Sequence, residues 1–198
     1  MLRSENNFEV ITLRKAKIAD FAKERNNLMK KSRSEWIFFL DSDEKFSRGL
    51  NRELSSTFQV EQPRHPAYYV KRRNYFLGRH VGTDRIIRLV RKGSGRWTRR
   101  VHEVFKLFNG MAGELKNPVV HSTADSVAEM IDKINRYSTL HAEANAAEGK
   151  RADFFKVVFY PKFKFLESMI GGRGVVFSIL QSFHSFLAWS KQWISQRN

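Results

Sequence analysis

Three features of the sequence predict an α/β fold, a mixed sheet followed by a helical C-terminal region. The first 40 residues read β-α-β, an unbroken apolar run at 36–40 ends in acids, and the tail is basic and rich in phenylalanine. A chain of 198 residues is the size of one domain, or of one domain with an appendage, and 41% hydrophobic content is enough to build a core.

The elements follow in order. "FEVITL" (8–13) alternates and is rich in strand formers. "DFAKERNNLMKKS" (20–32) spaces Phe21, Leu28 and Met29 as a helix does, with Asp20 placed to cap it. "EWIFFL" (35–40) has no polar alternation after Glu35, which suits a strand covered on both faces and linked to its neighbour by a helical crossover. "AYYVKRRNYF" and "DRIIRLVRKGSGRWTRRVHEVF" read as strands, the second segment as a pair joined at Lys92-Gly93-Ser94-Gly95, so the middle of the chain is expected to be antiparallel.

From Ser126 to about Lys150 the pattern is helical. Ser126 and Glu129 fit a capping box, Val127, Met130, Ile131, Ile134 and Tyr137 are expected on one face, and Gly149 is the expected stop. From Phe154 onward come eight phenylalanines among Lys156, Lys162, Lys164, Arg173 and Lys191. The apolar stretch 174–189 holds Gln181, His184 and serines and is shorter than the ~20 residues of a spanning helix. A helix lying in a membrane surface, flanked by basic residues and by Trp189 and Trp193, is one expectation; a helix packed on the protein's own core or on a partner is the other. The division expected is 1–122 and 123–198.

The formal net charge is +16, and residues 64–100 hold twelve Lys or Arg against the single acid Asp84. Such a field draws phosphates of any kind, in nucleic acid, lipid headgroups or a sugar nucleotide, or is simply a solvated basic face. The absence of cysteine excludes disulfides and thiolate metal sites and fits a reducing compartment. "MLRSENNFEV" has no apolar stretch of the secretory type, so the expected location is inside a cell.

Against that charge, "WIFFLDSDEKF" (36–46) places Asp41, Asp43 and Glu44 at the end of the most apolar strand. Ligands collect outside the carboxyl ends of strands in open parallel sheets. If the strand stays extended, Asp41 and Asp43 share a face and could join Mg²⁺ or Mn²⁺ to substrate phosphates; the alternative is an acidic strand exit open to water.

"FAKERNNLMKKSRSEWIFFLDSDE" resembles the stretch of family 2 glycosyltransferases in which an Arg-Asn helix leads to a buried strand and a D-x-D motif. "YYVKRRNYFLGR", "RIIRLVRKGSGRWTRRVHE" and "NPVVHSTADSVAEMIDKINRYS" extend the resemblance to the lipopolysaccharide-core type of that family. The resemblance implies an A-type, Rossmann-like mixed sheet and inverting transfer from a nucleotide-sugar donor to a cell-envelope or lipid-linked acceptor, at the inner face of the cell membrane. It places Asp41 and Asp43 on the metal and the diphosphate, Arg25 beside the nucleotide, His121 in the metal shell and Glu103 as the base, with Glu44 a weaker candidate ligand. Taken alone, His102 and His121 suit structural roles. Family members open with an "IPTYNE"-type turn and a "D-x-x-S-x-D" turn that bind the base and ribose. Neither is present ahead of "FEVITL", so the expected fold is an A-type fold lacking its first strands.

Two other readings stand beside this one. A polyanion-binding protein, for RNA or anionic membrane, would use the 64–100 segment with Tyr68, Tyr69, Tyr75, Phe76 and Trp97 as stacking surfaces, although no RNA-binding motif is recognised and three carboxylates repel phosphate unless a metal is present. An inactive relative that still docks on membrane is the third.

Overall fold

The computed structural model describes residues 8–13, 18, 20–60, 63–99 and 103–197. The elements are β1 (Phe8–Leu13), α1 (Phe21–Lys31), β2 (Trp36–Asp41), β3 (Glu44–Phe46), α2 (Arg48–Val60), β4 (Ala67–Phe76), β5 (Arg79–Arg91), β6 (Gly95–Thr98), β7 (Val104–Leu107), β8 (Gly113–Glu114), β9 (Val119–Ala124), α3 (Val127–Ala147), α4 (Phe154–Ile170) and α5 (Val175–Ser195). The chain forms two compact units, one from residues up to 74 together with 83–121, the other from 75–82 and 122 onward.

The sheet is mixed, in the order β1-β2-β5-β4-β9-β3, with β8 paired to β4. β1 runs parallel to β2, Phe8 opposite Trp36 and Leu13 opposite Asp41, and β5 runs antiparallel on the other side of β2. The predicted crossover is present: Asp20 caps α1 by accepting from the Lys23 N–H at 2.9 Å. β2 is covered on both faces, as its unbroken apolar run requires. Phe38 packs in a core with Leu50, Leu54 and Phe58 of α2, while Phe39 meets the Trp97 ring of β6 edge-on at 5.5 Å. Each of those fully buried α2 side chains is worth roughly 1.5–3 kcal/mol of transfer free energy.

The middle of the chain corrects one expectation. Lys92–Gly95 does not join a hairpin, because β5 already has β2 on one edge and β4 on the other, and no hydrogen-bonding edge is left for β6. β6 pairs instead with β7, Gly95 opposite Leu107 and Trp97 opposite Phe105. Gly95 is required there, since a Cβ would lie 2.4 Å from the Lys106 carbonyl oxygen.

In the second unit, Phe76, Val81, Ala124, Met130, Ile134, Phe177 and Leu180 form the core. α3 is capped by Ser126, which accepts from the Glu129 N–H, and Glu129 accepts from the Asp125 N–H, one residue earlier than in a reciprocal box. Its buried stripe is Met130, Ile134, Ser138, Ala142 and Asn145, so Val127 and Ile131, expected on that face, are exposed. Gly149, at φ +73°, ends the helix as expected. α4 and α5 form a helical pair, and among the described residues no helix is long and apolar enough to cross a membrane.

Candidate functional site

The site forms in the first unit, where β2 ends. The strand does not stay extended through Asp43. The Ser42 N–H bonds to the Leu13 carbonyl, and Glu44 folds back so that its Oε2 accepts from the Asp41 N–H at 3.1 Å. This tight turn separates the two aspartates in role. Asp41 is turned inward and Asp43 is turned toward β9, where Glu44 stands opposite His121 in the β3–β9 register.

Asp41 is held by two guanidiniums. Arg25 Nη2 donates to Oδ1 at 2.7 Å and Arg88 Nη2 to Oδ2 at 2.9 Å. Arg88 also donates to Glu44 Oε1 at 2.6 Å, and Arg72 approaches the same oxygen at 3.5 Å while forking onto Asp84 at 2.5 and 3.0 Å. Burial alone would push the Arg88 guanidinium down, but Asp41 and Glu44 more than offset it and hold Arg88 above its ordinary range. Arg72 is raised in the same way, burial being outweighed by Asp84.

Arg25 is fully buried on the inner stripe of α1, with its Cζ 5.4 Å from the Phe39 ring and 5.0 Å from the Trp97 ring. Its Nε donates to Glu103 Oε1 at 2.9 Å, so one side chain bridges the strand-end acid and the residue that precedes β7. Asn26 completes the arrangement: its amide donates to the Trp97 carbonyl and accepts from the Trp97 N–H, both at 2.9 Å, which ties β6 to α1. His102, expected next to Glu103, lies outside the described residues.

Asp43 Oδ2 is 3.3 Å from His121 Nε2, and His121 Nδ1 is 2.7 Å from Asn74 Oδ1. A proton on Nδ1 satisfies that carbonyl oxygen, and in a neutral ring Nε2 then turns its lone pair toward a carboxylate. Two acceptors facing one another need a proton or a cation between them. Asp43 and His121 could be joined by a second ring proton or could share a divalent metal, with Asn74 as the outer partner that orients the ring. Asp41 is committed to its arginines, and among the described residues no group of three or more His, Cys, Asp or Glu is arranged to hold a metal.

Sequence reasoning missed Arg72 and Arg88, which it counted only within the basic segment, and Asn74. Of that segment's twelve cations, Arg72, Arg85, Arg88 and Arg91 are paired with acids of the chain. Tyr68, Phe76 and Trp97, expected as stacking surfaces, are buried.

No family model matches the chain. It is similar to the lipopolysaccharide core biosynthesis glycosyltransferase LpsC of Rhizobium meliloti (strain 1021), with 32% identity over 138 residues, 66% of this chain and 51% of the relative. The chain thus spans about half the length of the curated relative it matches.

Proposed function

We propose that this chain carries the metal and base side of a glycosyltransferase that moves a sugar, with inversion, from a nucleotide-sugar donor to a hydroxyl of a cell-envelope or lipid-linked acceptor. Similarity to a lipopolysaccharide core glycosyltransferase supports the reaction class. The observation that carries the residue assignment is Arg25, which touches both Asp41, at the end of β2, and the proposed base Glu103.

In this reading the acceptor oxygen bonds to the anomeric carbon while the bond from that carbon to the diphosphate oxygen breaks and the electron pair leaves with the nucleoside diphosphate. Glu103 takes the hydroxyl proton. Arg25 holds its Oε1, and among the described residues Oε2 has no partner, so that oxygen is placed to accept. Mg²⁺ or Mn²⁺ held by Asp43 and His121 would supply Lewis-acid neutralisation of the departing diphosphate. Polyanion binding is the weaker reading, because the segment that would carry it is partly neutralised and its aromatic rings are largely buried.

Titration calorimetry with MnCl₂ and UDP, GDP or CDP tests the assignment. Metal-dependent binding of one nucleotide should weaken at least about tenfold in Asp43→Ala and in His121→Ala, a single lost ligand or charge-assisted bond being worth that much. Equal binding by wild type and both variants removes the pair from the site.

A further inference from the structure

The second unit carries a surface that the transfer reaction does not use. On α4, Phe155, Phe159, Phe163, Leu166 and Ile170 recur every three or four residues and form one stripe, with exposures between 37% and 87%. The buried residues of α4, Val157, Pro161 and Ser168, lie on the opposite side of the helix, so the stripe faces away from the protein. α5 repeats the design. Val175, Ile179, Phe183 and Phe186 share a stripe exposed by 39–53%, while Phe177, Leu180, Ala188 and Gln192 pack inward.

These stripes are not a spare core. The two helices already meet one another through Ser178 Oγ to Ser168 Oγ at 2.9 Å, Ser182 Oγ to the Pro161 carbonyl and Tyr160 against Trp189. α5 is fixed to α3 by Lys191, whose Nζ bonds to the Asn135 carbonyl and to the side-chain oxygens of Asn135, Ser138 and Thr139 at 2.7–2.9 Å. The apolar side chains that remain outside are too many and too contiguous in sequence for an ordinary water-facing surface.

The charge around them selects the occupant. From Lys150 to the end the chain has eight Lys or Arg against Asp153 and Glu167, and it has no acid after Glu167. Lys162 lies over the Phe159 ring at 5.2 Å, so a cation stands beside the stripe itself. We propose that the α4–α5 pair is a monolayer-docking device: the phenylalanine stripes enter the acyl boundary of an anionic lipid surface, and the basic residues meet its phosphates. Neither helix spans the bilayer. Docking would hold the protein where a lipid-linked acceptor is, yet it does not depend on the transfer reaction.

Vesicle sedimentation of the full chain tests this. Binding to vesicles of phosphatidylglycerol and phosphatidylcholine should exceed binding to phosphatidylcholine alone by at least about tenfold, since several basic residues each contribute about fivefold. Phe155→Glu with Phe163→Glu should abolish sedimentation on both. Lys162→Gln should cost about fivefold, on the anionic vesicles only. Circular dichroism melting confirms that each variant is folded, and Ile170→Glu, at the most exposed large apolar residue, replaces the phenylalanine pair if that variant is not. Unchanged binding by the phenylalanine or Ile170 variant overturns the proposal. So does a stable wild-type dimer in sedimentation velocity that dissociates in that variant, because a second copy would then be the occupant.

Discussion

Arg88→Met is the substitution whose effect the geometry fixes most closely. The arginine is 4% exposed and donates from one nitrogen to Asp41 at 2.9 Å and to Glu44 at 2.6 Å. Methionine fills much of the same volume but takes from Asp41 one of the two guanidiniums described above, and leaves Glu44, fully buried, with Arg72 at 3.5 Å. Removing one partner of a buried ion pair costs about 3–5 kcal/mol, a large part of the 5–15 kcal/mol that holds a domain together. The assay is amide hydrogen exchange in peptides covering 36–41, which reports the opening free energy of β2 itself. The expected acceleration is about 10²- to 10⁴-fold, the same energy expressed as an equilibrium constant. Arg91→Met is the control, because the Arg91 and Glu35 side chains are 57% and 52% exposed and such pairs contribute ~1 kcal/mol or less. Adding Glu44→Gln to Arg88→Met should recover part of the loss, since a neutral amide is cheaper to bury than an orphaned carboxylate. Equal exchange in Arg88→Met and Arg91→Met would refute the account, and no recovery in the double variant would assign the cost to packing.

The other expectations concern the base and the tail. Glu103→Gln keeps an oxygen for Arg25 but loses basicity, so turnover measured by nucleoside diphosphate release should fall by about a hundredfold while nucleotide binding is retained. Near-wild-type turnover would remove Glu103 from the mechanism and direct the search for a base to Asp84 and Glu114. Asp153 caps α4, and the Lys156 N–H it accepts holds its carboxyl below the ordinary 3.8. A depressed acid stabilises the fold fully above its unfolded value and loses that contribution as pH falls through the folded one. The Lys156 amide shift should therefore titrate with a midpoint below pH 3.8; a midpoint at or above it would contradict the cap.

What the sequence revealed followed the range of its signals. β2, the Asp20 cap and the Gly149 stop rest on neighbours in the chain, and each was legible from a few residues. α2 was not singled out, although Leu50, Leu54 and Phe58 stand at helical spacing, because serines, threonine and charges dilute its one apolar stripe. The Arg88 contacts to Asp41 and Glu44 span 47 and 44 residues, and no local pattern announces them. A signal did exist. Arg88 interrupts Ile87, Leu89 and Val90 in a strand buried on both faces at that point, so a cation there has to find an acid. Counting it as one of twelve surface charges hid that requirement. The hairpin expected at Lys92–Gly95 failed for the complementary reason: turn chemistry was read correctly, but pairing depends on which strand edges are free, and that is decided by the whole sheet.

The arginines also explain why a chain of net charge +16 buries carboxylates at all. A carboxylate inside a protein needs a partner with directional donors, and a guanidinium supplies several in one plane. Arg25 uses that plane fully. Its Cζ packs near both the Phe39 and Trp97 rings, its Nη2 reaches Asp41, and its Nε reaches Glu103. A lysine ammonium has no plane to stack and no fork to span two acids. Asn26, the next residue, holds the Trp97 backbone at both its donor and its acceptor. Two adjacent residues of one helix thus position the strand-end acid, the hairpin and the proposed base, which is why an Arg-Asn pair belongs ahead of the acidic turn.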